Sequence, residues 1–541
     1  MMPQHRTRAP RIAAWMLLIG WSASCTPLGQ DVAVDDYIAA AARAGAPTTM
    51  VATVPATTSA PAPPAGPLAV TVQEAVLMAL THNRALAVQR LGPAIRQTYA
   101  RQERAIFDPV ISAEGSAGKA RDKGPARTGG VTTTEADTYA GQVGAEVFLP
   151  TGTTIALAGA TEILDSSMYS DQAATTRVGL SVTQALLRGA GVRVNLVRLR
   201  QARLDTLASE YELRAFAEAL LAEVESAYWD YALAARQIEI YTQSLDLADK
   251  QLDEIVERVK VGKLAPTELA AAQAEVALRK EGLINARSAL DTQRLRLLRL
   301  LNPSGRPLWG RQVALRNAPA APEIKLDDVE QHVRVGLRMR ADLNQARLGV
   351  RRGDLEVVKT RNGLLPKMDL FVTLGKSGYA QSFGRSVAEM DDSAFDALVG
   401  LRFEYPPANR DARARHSRAV LTRRQSAEAL DNLAQLVQVD VRSAFIEVRR
   451  AGEQIAATAA TRKLQAEKLR VETEKFRVGK STSLLVGQAQ RDLLTSQIAE
   501  IEAVVTHLKA LVDLHRLEGS LLERRGVAAP GREPADPNGA P

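Results

Sequence analysis

The chain has 541 residues, 46% hydrophobic but only 4% aromatic, with 24% charged, one cysteine and a formal net charge of +8. Scarce aromatics argue against several ordinary globular cores, and a chain rich in Ala, Leu, Arg, Glu and Gln points instead to long packed helices. One cysteine excludes a disulfide framework and any cysteine-built zinc site.

His5, Arg6, Arg8 and Arg11 precede an apolar run from Ile12 to Trp21, which is too short to span a bilayer. Residues 1–24 therefore read as an export signal. Ser22-Ala23-Ser24 followed by Cys25 resembles a bacterial lipoprotein cleavage box, with Cys25 as the lipidated N-terminus. Ser22 departs from that pattern, which usually carries Leu there. The alternative is ordinary cleavage after Ser24, leaving Cys25 a spare thiol. Residues 25–66 are rich in Ala, Thr and Pro and read as a disordered tether, as residues 523–541 do as a tail. No later segment has about 18 consecutive apolar residues, so no transmembrane helix is expected. An exported chain of this kind is periplasmic, secreted or an outer-membrane barrel.

The chain repeats itself once. Val261-Gly262-Lys263 recurs as Val478-Gly479-Lys480, and Ala272-Gln273 as Ala489-Gln490, at an offset of 217. Val224, Ser226, Ala227 and Tyr228 match Val441, Ser443, Ala444 and Phe445 at the same offset. Val72, Leu80, Leu86 and Pro109 match Val329, Leu337, Leu343 and Pro366 at an offset of 257. The first repeat, residues 67–305, thus carries 40 more residues between its landmarks than the second, residues 322–522.

Each repeat reads as helix, strands, long helix, turn, helix. A helix of some 68 residues is expected from Val194 to Val261. Leu245, Ala248, Leu252, Ile255 and Val259 keep a three–four spacing, and so do Leu494, Ile498, Ile501, Val505, Leu508 and Val512. Leu269, Val276, Leu283, Leu290 and Leu297 form a heptad. Such spacing marks coiled-coil seams. Gly262 suits a left-handed helix end, Pro266 the next first turn, and Ser481, Thr482 and Ser483 are cap residues. Each repeat therefore ends in a helical hairpin with a tip.

Period-two alternation marks strands at Tyr139–Leu149, Thr153–Ala160 and Thr176–Gln184, after one starting near Pro109. Lys367–Leu374 and Ala397–Tyr405 supply two more in the second repeat. Segments 119–137 and 163–174 read as long polar loops and Pro150-Thr151-Gly152 as a short turn. Weak strands with long loops on one side and short turns on the other fit a transmembrane β-barrel. The expectation is four strands plus two. The alternative folds Thr153–Gln184 into a flap outside the barrel.

Enzyme signatures are weak. Gly375-Lys376-Ser377 and Gly479-Lys480-Ser481 mimic the end of a phosphate-binding loop, but Leu370 and Glu474 stand where its first Gly belongs. No cofactor, metal site or catalytic group is expected. Basic residues are interspersed with acids along helices, as on solvated faces, and export removes a nucleic-acid partner.

With these motifs in order and duplicated, residues 66–522 resemble the TolC family of outer-membrane efflux channels. Phe107-Asp108-Pro109 and Gln184-Ala185-Leu186-Leu187-Arg188-Gly189 strengthen the resemblance. It implies an α+β membrane protein: a homotrimeric outer-membrane β-barrel continued by a long periplasmic α-helical coiled-coil barrel, built from two internal repeats. It implies passive conduction for an efflux or type I secretion system, with a periplasmic adaptor protein and an inner-membrane RND or ABC transporter as partners. It implies adaptor contact at Val261, Gly262, Lys263, Val478, Gly479 and Lys480, and a periplasmic gate to which Glu268 would contribute. Leu485 and Gln488 stand where further acids would be expected. The family has four strands per chain, against six read here. The competing function is a lipid-anchored periplasmic coiled-coil adaptor or structural protein.

Overall fold

The computed structural model describes residues 67–125, 129–167, 171–303, 308–321, 326–391 and 394–527. The export signal, Cys25, the tether and the tail from residue 528 lie outside these described residues.

The first repeat opens with β1 (Leu68–Val70), α1 (Val72–His82) and α2 (Arg84–Arg104). Thr71 starts α1 with a capping box. Its hydroxyl accepts from the Glu74 N–H at 3.2 Å, and the Glu74 carboxylate accepts from the Thr71 N–H at 2.8 Å. Four strands follow: β2 (Val110–Pro125), β3 (Val131–Leu149), β4 (Thr153–Ser166) and β5 (Ala173–Ala185). The short α3 (Val192–Asn195) leads into α4 (Val197–Lys260), which a tip joins to α5 (Thr267–Leu301). Between the repeats lies β6 (Val313–Leu315), and the second repeat has α6 (Val329–Met339), α7 (Ala341–Asn362), β7 (Lys367–Ala380), α8 (Phe383–Ala388) and β8 (Phe395–Glu404). It ends with α9 (Arg410–Arg477), α10 (Ser483–Leu517) and α11 (Leu521–Arg524).

α4 and α9, with 64 and 68 residues, run about 96 and 102 Å at ~1.5 Å per residue. Neither propensity nor length alone holds them. The three–four seams do: Ala248, Ile255, Val276, Leu283, Leu494, Val505 and Val512 are all buried, as their spacing predicts.

All six long strands form one antiparallel sheet in the order β2-β3-β4-β5-β7-β8. Thr153 pairs with Gln184 and Ala185 with Asp369, so the segment 153–184 lies inside the sheet and not in a flap. The expected loops are shorter than the sequence suggested. β2 and β3 run through most of 119–137, and β4 and β5 through parts of 163–174. Cross-strand ion pairs replace apolar alternation there: Lys119–Asp137 at 3.4 Å and Arg121–Glu135 at 3.1 Å.

A small equatorial layer wraps the middle of the helices. β1 and β6 pair in parallel and cover α4. The buried Tyr228 hydroxyl donates to the Val70 carbonyl at 3.2 Å and accepts from the Asn317 N–H at 3.2 Å. The C-terminal segment is tied to the same stretch, so packed structure continues past residue 522, through α11. Arg525 grips the buried Glu225 through two 2.6 Å bonds, and the buried Arg214 meets Glu523 at 2.6 Å.

Candidate functional site

The sheet has two chemically distinct faces. Cross-strand partners place Tyr139, Val143, Leu157, Val178, Leu374 and Val399 on one side. All six are exposed in the single chain. From Leu149 to Tyr139 this apolar face spans about 33 Å along β3, and at a tilt of ~40° it rises about 25 Å, the height of an outer-membrane barrel's lipid band. The Lys119–Asp137 and Arg121–Glu135 pairs stand just beyond it, where headgroups and water begin.

The opposite face is mostly polar or small, with Phe148, Leu164, Phe371 and Leu398 as apolar members. It carries Glu114, Gln142, Glu146, Ala156, Ala158, Ala160, Glu162, Arg177 and Asp369, as the inner wall of an aqueous pore requires. Arg177 on β5 reaches over β7 to Asp396 on β8, with Nε to Oδ1 at 3.2 Å. Gly375 lies between them, and a Cβ there would collide with both side chains. The glycine thus lets an ion pair cross a strand along the pore wall.

The two tips have the same geometry. Gly262 has φ +74° and Gly479 +76°, the left-handed region that glycine enters at little cost. The N–H of Gly262 donates to the Val259 carbonyl at 3.0 Å and that of Lys263 to Arg258 at 2.8 Å. Gly479 and Lys480 repeat this with Phe476 at 3.1 Å and Lys475 at 2.7 Å. These bonds satisfy the last helical carbonyls. Val261 and Val478 are 65% and 68% exposed, and a Cβ on either glycine would meet open space. The backbone conformation, not crowding within the chain, therefore accounts for glycine. One core of Ile255, Ala272, Phe476 and Val486 underlies both tips and holds them side by side. The Arg258 guanidinium also lies 4.9 Å from the Phe476 ring centre.

Glu268 is engaged within the chain: its carboxylate accepts a hydrogen bond from the Ser483 hydroxyl, joining the two hairpins. Leu485 and Gln488 are exposed and make no such bridge. Sequence reasoning missed a second bridge about two turns further from the tip. Glu275 pairs with Arg491 of α10 and, at 3.3 Å, with the buried Arg279. Gln490 donates to Gln251 beside it. Burial holds the Arg279 pKa below its ordinary value. The partners of both carboxylates lie 215 and 216 residues away, close to the repeat offset, which is the signal that could have found them.

A family profile described as "Outer membrane efflux protein" matches residues 76–303 and 336–520. The chain belongs to the outer membrane efflux protein family. Among solved structures it is similar to the outer-membrane channel OprN, at 18% identity and TM-score 0.64, over 88% of this chain and 97% of that one. It is similar to CusC at 16% identity and TM-score 0.62, over 88% and 99% of the two chains. It is also similar to the Campylobacter jejuni outer membrane channel CmeC, at 14% identity and TM-score 0.62, over 83% and 86%. No curated protein matches the sequence significantly. This outer membrane efflux protein is a non-enzymatic channel of tripartite efflux, set in the bacterial outer membrane with a periplasmic helical extension. Its family forms trimers that work with an adaptor and a pump.

Proposed function

We propose that three copies of this chain close into one passive duct with an eighteen-stranded barrel, six strands from each. An inner-membrane RND or ABC transporter supplies the energy. A periplasmic adaptor docks on Val261–Lys263 and Val478–Lys480, and Glu268 belongs to the periplasmic gate. Lipidation of Cys25 would add an anchor in the outer membrane.

The observation that carries this reading is the incomplete symmetry of the wall. Within the chain the helices pack in the order α2, α4, α7, α9. The repeat offsets equate α2 with α7 and α4 with α9. In the α4–α7 contact the buried Leu348 packs against Leu204 and Tyr211. The corresponding residues at the free edges are Leu91 and Leu421, both exposed. A neighbour's α2 laid against α9 repeats the α4–α7 contact and brings those leucines together. Two positions further down α9 agree. Val439 and Ile446 are exposed, whereas their first-repeat counterparts, Ala222 and Trp229, are buried. The sheet obeys the same logic: β2 and β8 are its open edges, and the antiparallel pairing of β5 with β7 would recur between β8 and a neighbour's β2. Closure also removes the edges that lipid does not tolerate.

A chain carrying Leu91→Cys and Leu421→Cys, treated in membranes with a short bis-maleimide, tests the closure. The expected product is a covalent trimer, with neither single substitution giving one. Cross-linking that stops at dimers, or is absent in intact membranes, would refute the ring.

A further inference from the structure

On the concave side of the four-helix wall, just beneath the sheet, α2, α4, α7 and α9 enclose a cavity of about 1140 Å³. Seven cationic side chains face it against four carboxylates. Most of these charges cancel locally: Arg352 pairs with Asp205 at 3.1 Å, Lys359 with Glu356 at 3.2 Å and Arg415 with Asp411 at 2.9 Å. Arg188 leans 3.9 Å from Glu404, on the pore-facing side of β8, which marks this surface as the continuation of the barrel's inner wall. Arg96, Arg198 and Arg418 have no carboxylate partner among the described residues, and all three are exposed.

These three arginines come from three helices and all line this cavity near the membrane-side end of the wall. Arg96 and Arg418 are each eight residues, about 12 Å, from the membrane-side end of their helix, and Arg198 is in the first turn of α4. We infer that the mouth of the helical tunnel is an anion-binding collar, so that organic anions bearing carboxylate, phosphate or sulfate groups are a cargo class this channel favours. The inference rests on the trimeric duct proposed above, in which three chains bring nine unpaired guanidinia, against three unpaired Glu103 carboxylates, to the tunnel mouth. Guanidinium stays charged at any physiological pH and presents a planar donor fork matched to such groups. The barrel above has the opposite sign, because Glu114, Glu146 and Glu162 carry no cationic partner among the described residues. An anion leaving the tunnel is thus held at the collar before it passes an acidic barrel, which opposes lingering there. At ~0.1 M salt the Debye length of about 10 Å leaves part of the tunnel cross-section within reach of the wall; at 1 M, about 3 Å does not.

Full-length trimers in a planar lipid bilayer test this by reversal potential in a KCl gradient and by block with tripolyphosphate added on the periplasmic side. The combined variant Arg96→Gln, Arg198→Gln, Arg418→Gln is expected to shift the reversal potential toward that of K⁺ and to weaken block at least tenfold, with the effect shrinking at 1 M salt. The three Arg→Lys replacements keep the charge and are expected to retain wild-type selectivity with weaker block. Glu114→Gln with Glu162→Gln moves selectivity toward chloride and leaves block in place. Wild-type reversal potential and block in the Arg→Gln trimer would overturn the collar alone. A wild-type chain that stays monomeric in the membrane would overturn the duct and the collar with it.

Discussion

The two halves of this chain share one plan and differ in what surrounds it. In the first repeat the middle of α4 is sunk in a large apolar cluster with β1, α1 and the C-terminal α11. In the second, the matching stretch of α9 meets a small cluster around Val437, Val441 and Val448 and leaves Val439 and Ile446 in the open. Paired positions make the contrast chemical. Tyr228 bonds two backbone groups, whereas Phe445 has no hydroxyl and packs 5.8 Å from the His332 ring. Glu218 is buried beside Arg214, whereas Gln435, at the repeat offset, is exposed. The middle of α4 is covered within its own chain, whereas the matching stretch of α9 stays open, where the proposed neighbour would pack.

The barrel tests the comparison most severely. The first repeat contributes four strands and the second two. Excising residues 127–170 leaves two strands in each half and keeps every pairing antiparallel. Barrel diameter grows roughly linearly with strand number, so the pore's cross-section should fall by roughly half. Single-channel conductance in a planar bilayer should drop by about the same factor, and an unchanged value would show that β3 and β4 do not line the pore.

Making the first repeat resemble the second at Glu218 should change the pH response. Burial pushes its carboxyl up to about 7 from 4.5, with Arg214 only partly offsetting that. A raised carboxyl pKa means that the folded chain keeps a proton the unfolded chain has lost. The resulting stability is complete below pH 4.5 and gone above pH 7, a swing of about 3 kcal/mol at ~1.4 kcal/mol per unit. Glu218→Gln should remove this loss, so that the heat-dissociation temperature of the trimer rises more steeply with pH between those values. His515 works in the opposite sense. Burial lowers it to about 4, so its stability is lost as pH falls below 6.5, and this slope should persist in the Glu218→Gln variant.

Tyr228→Phe sharpens the same contrast at smaller scale. It leaves the Val70 carbonyl and the Asn317 N–H without their shared partner, at a cost of about 1–3 kcal/mol. A lower dissociation temperature with normal export is the expected result.

The tips should show no contrast. Gly262→Ala and Gly479→Ala should each cost about 1 kcal/mol, because both residues are left-handed and both have open space around them. Valine at either site should reduce export of a fluorescent efflux substrate while leaving trimer levels intact. Full export from both valine variants would remove the tips from adaptor contact.

Much of this was legible in the chain. The duplicated Val-Gly-Lys located both tips to the residue, and the three–four seams placed the long helices. Period-two alternation found all six strands but not their ends, because beyond the lipid band the pairing of Lys119 with Asp137 and Arg121 with Glu135 carries no apolar signature. The shared offset announced two equivalent halves, yet not which surface of each stays open. Glu268 was visible as an acid near a tip, but its bond to Ser483 was not.

What the sequence determined by itself was periodic: helix seams, turn glycines and strand alternation, each set by neighbours within a few residues, and their recurrence along the chain. What only the tertiary structure decided was convergent. The Glu275–Arg491 bridge joins residues 216 apart, and the collar draws Arg96, Arg198 and Arg418 from three helices. No local pattern encodes such meetings, because they depend on helix register across the wall, fixed by packing summed along about 100 Å of seam.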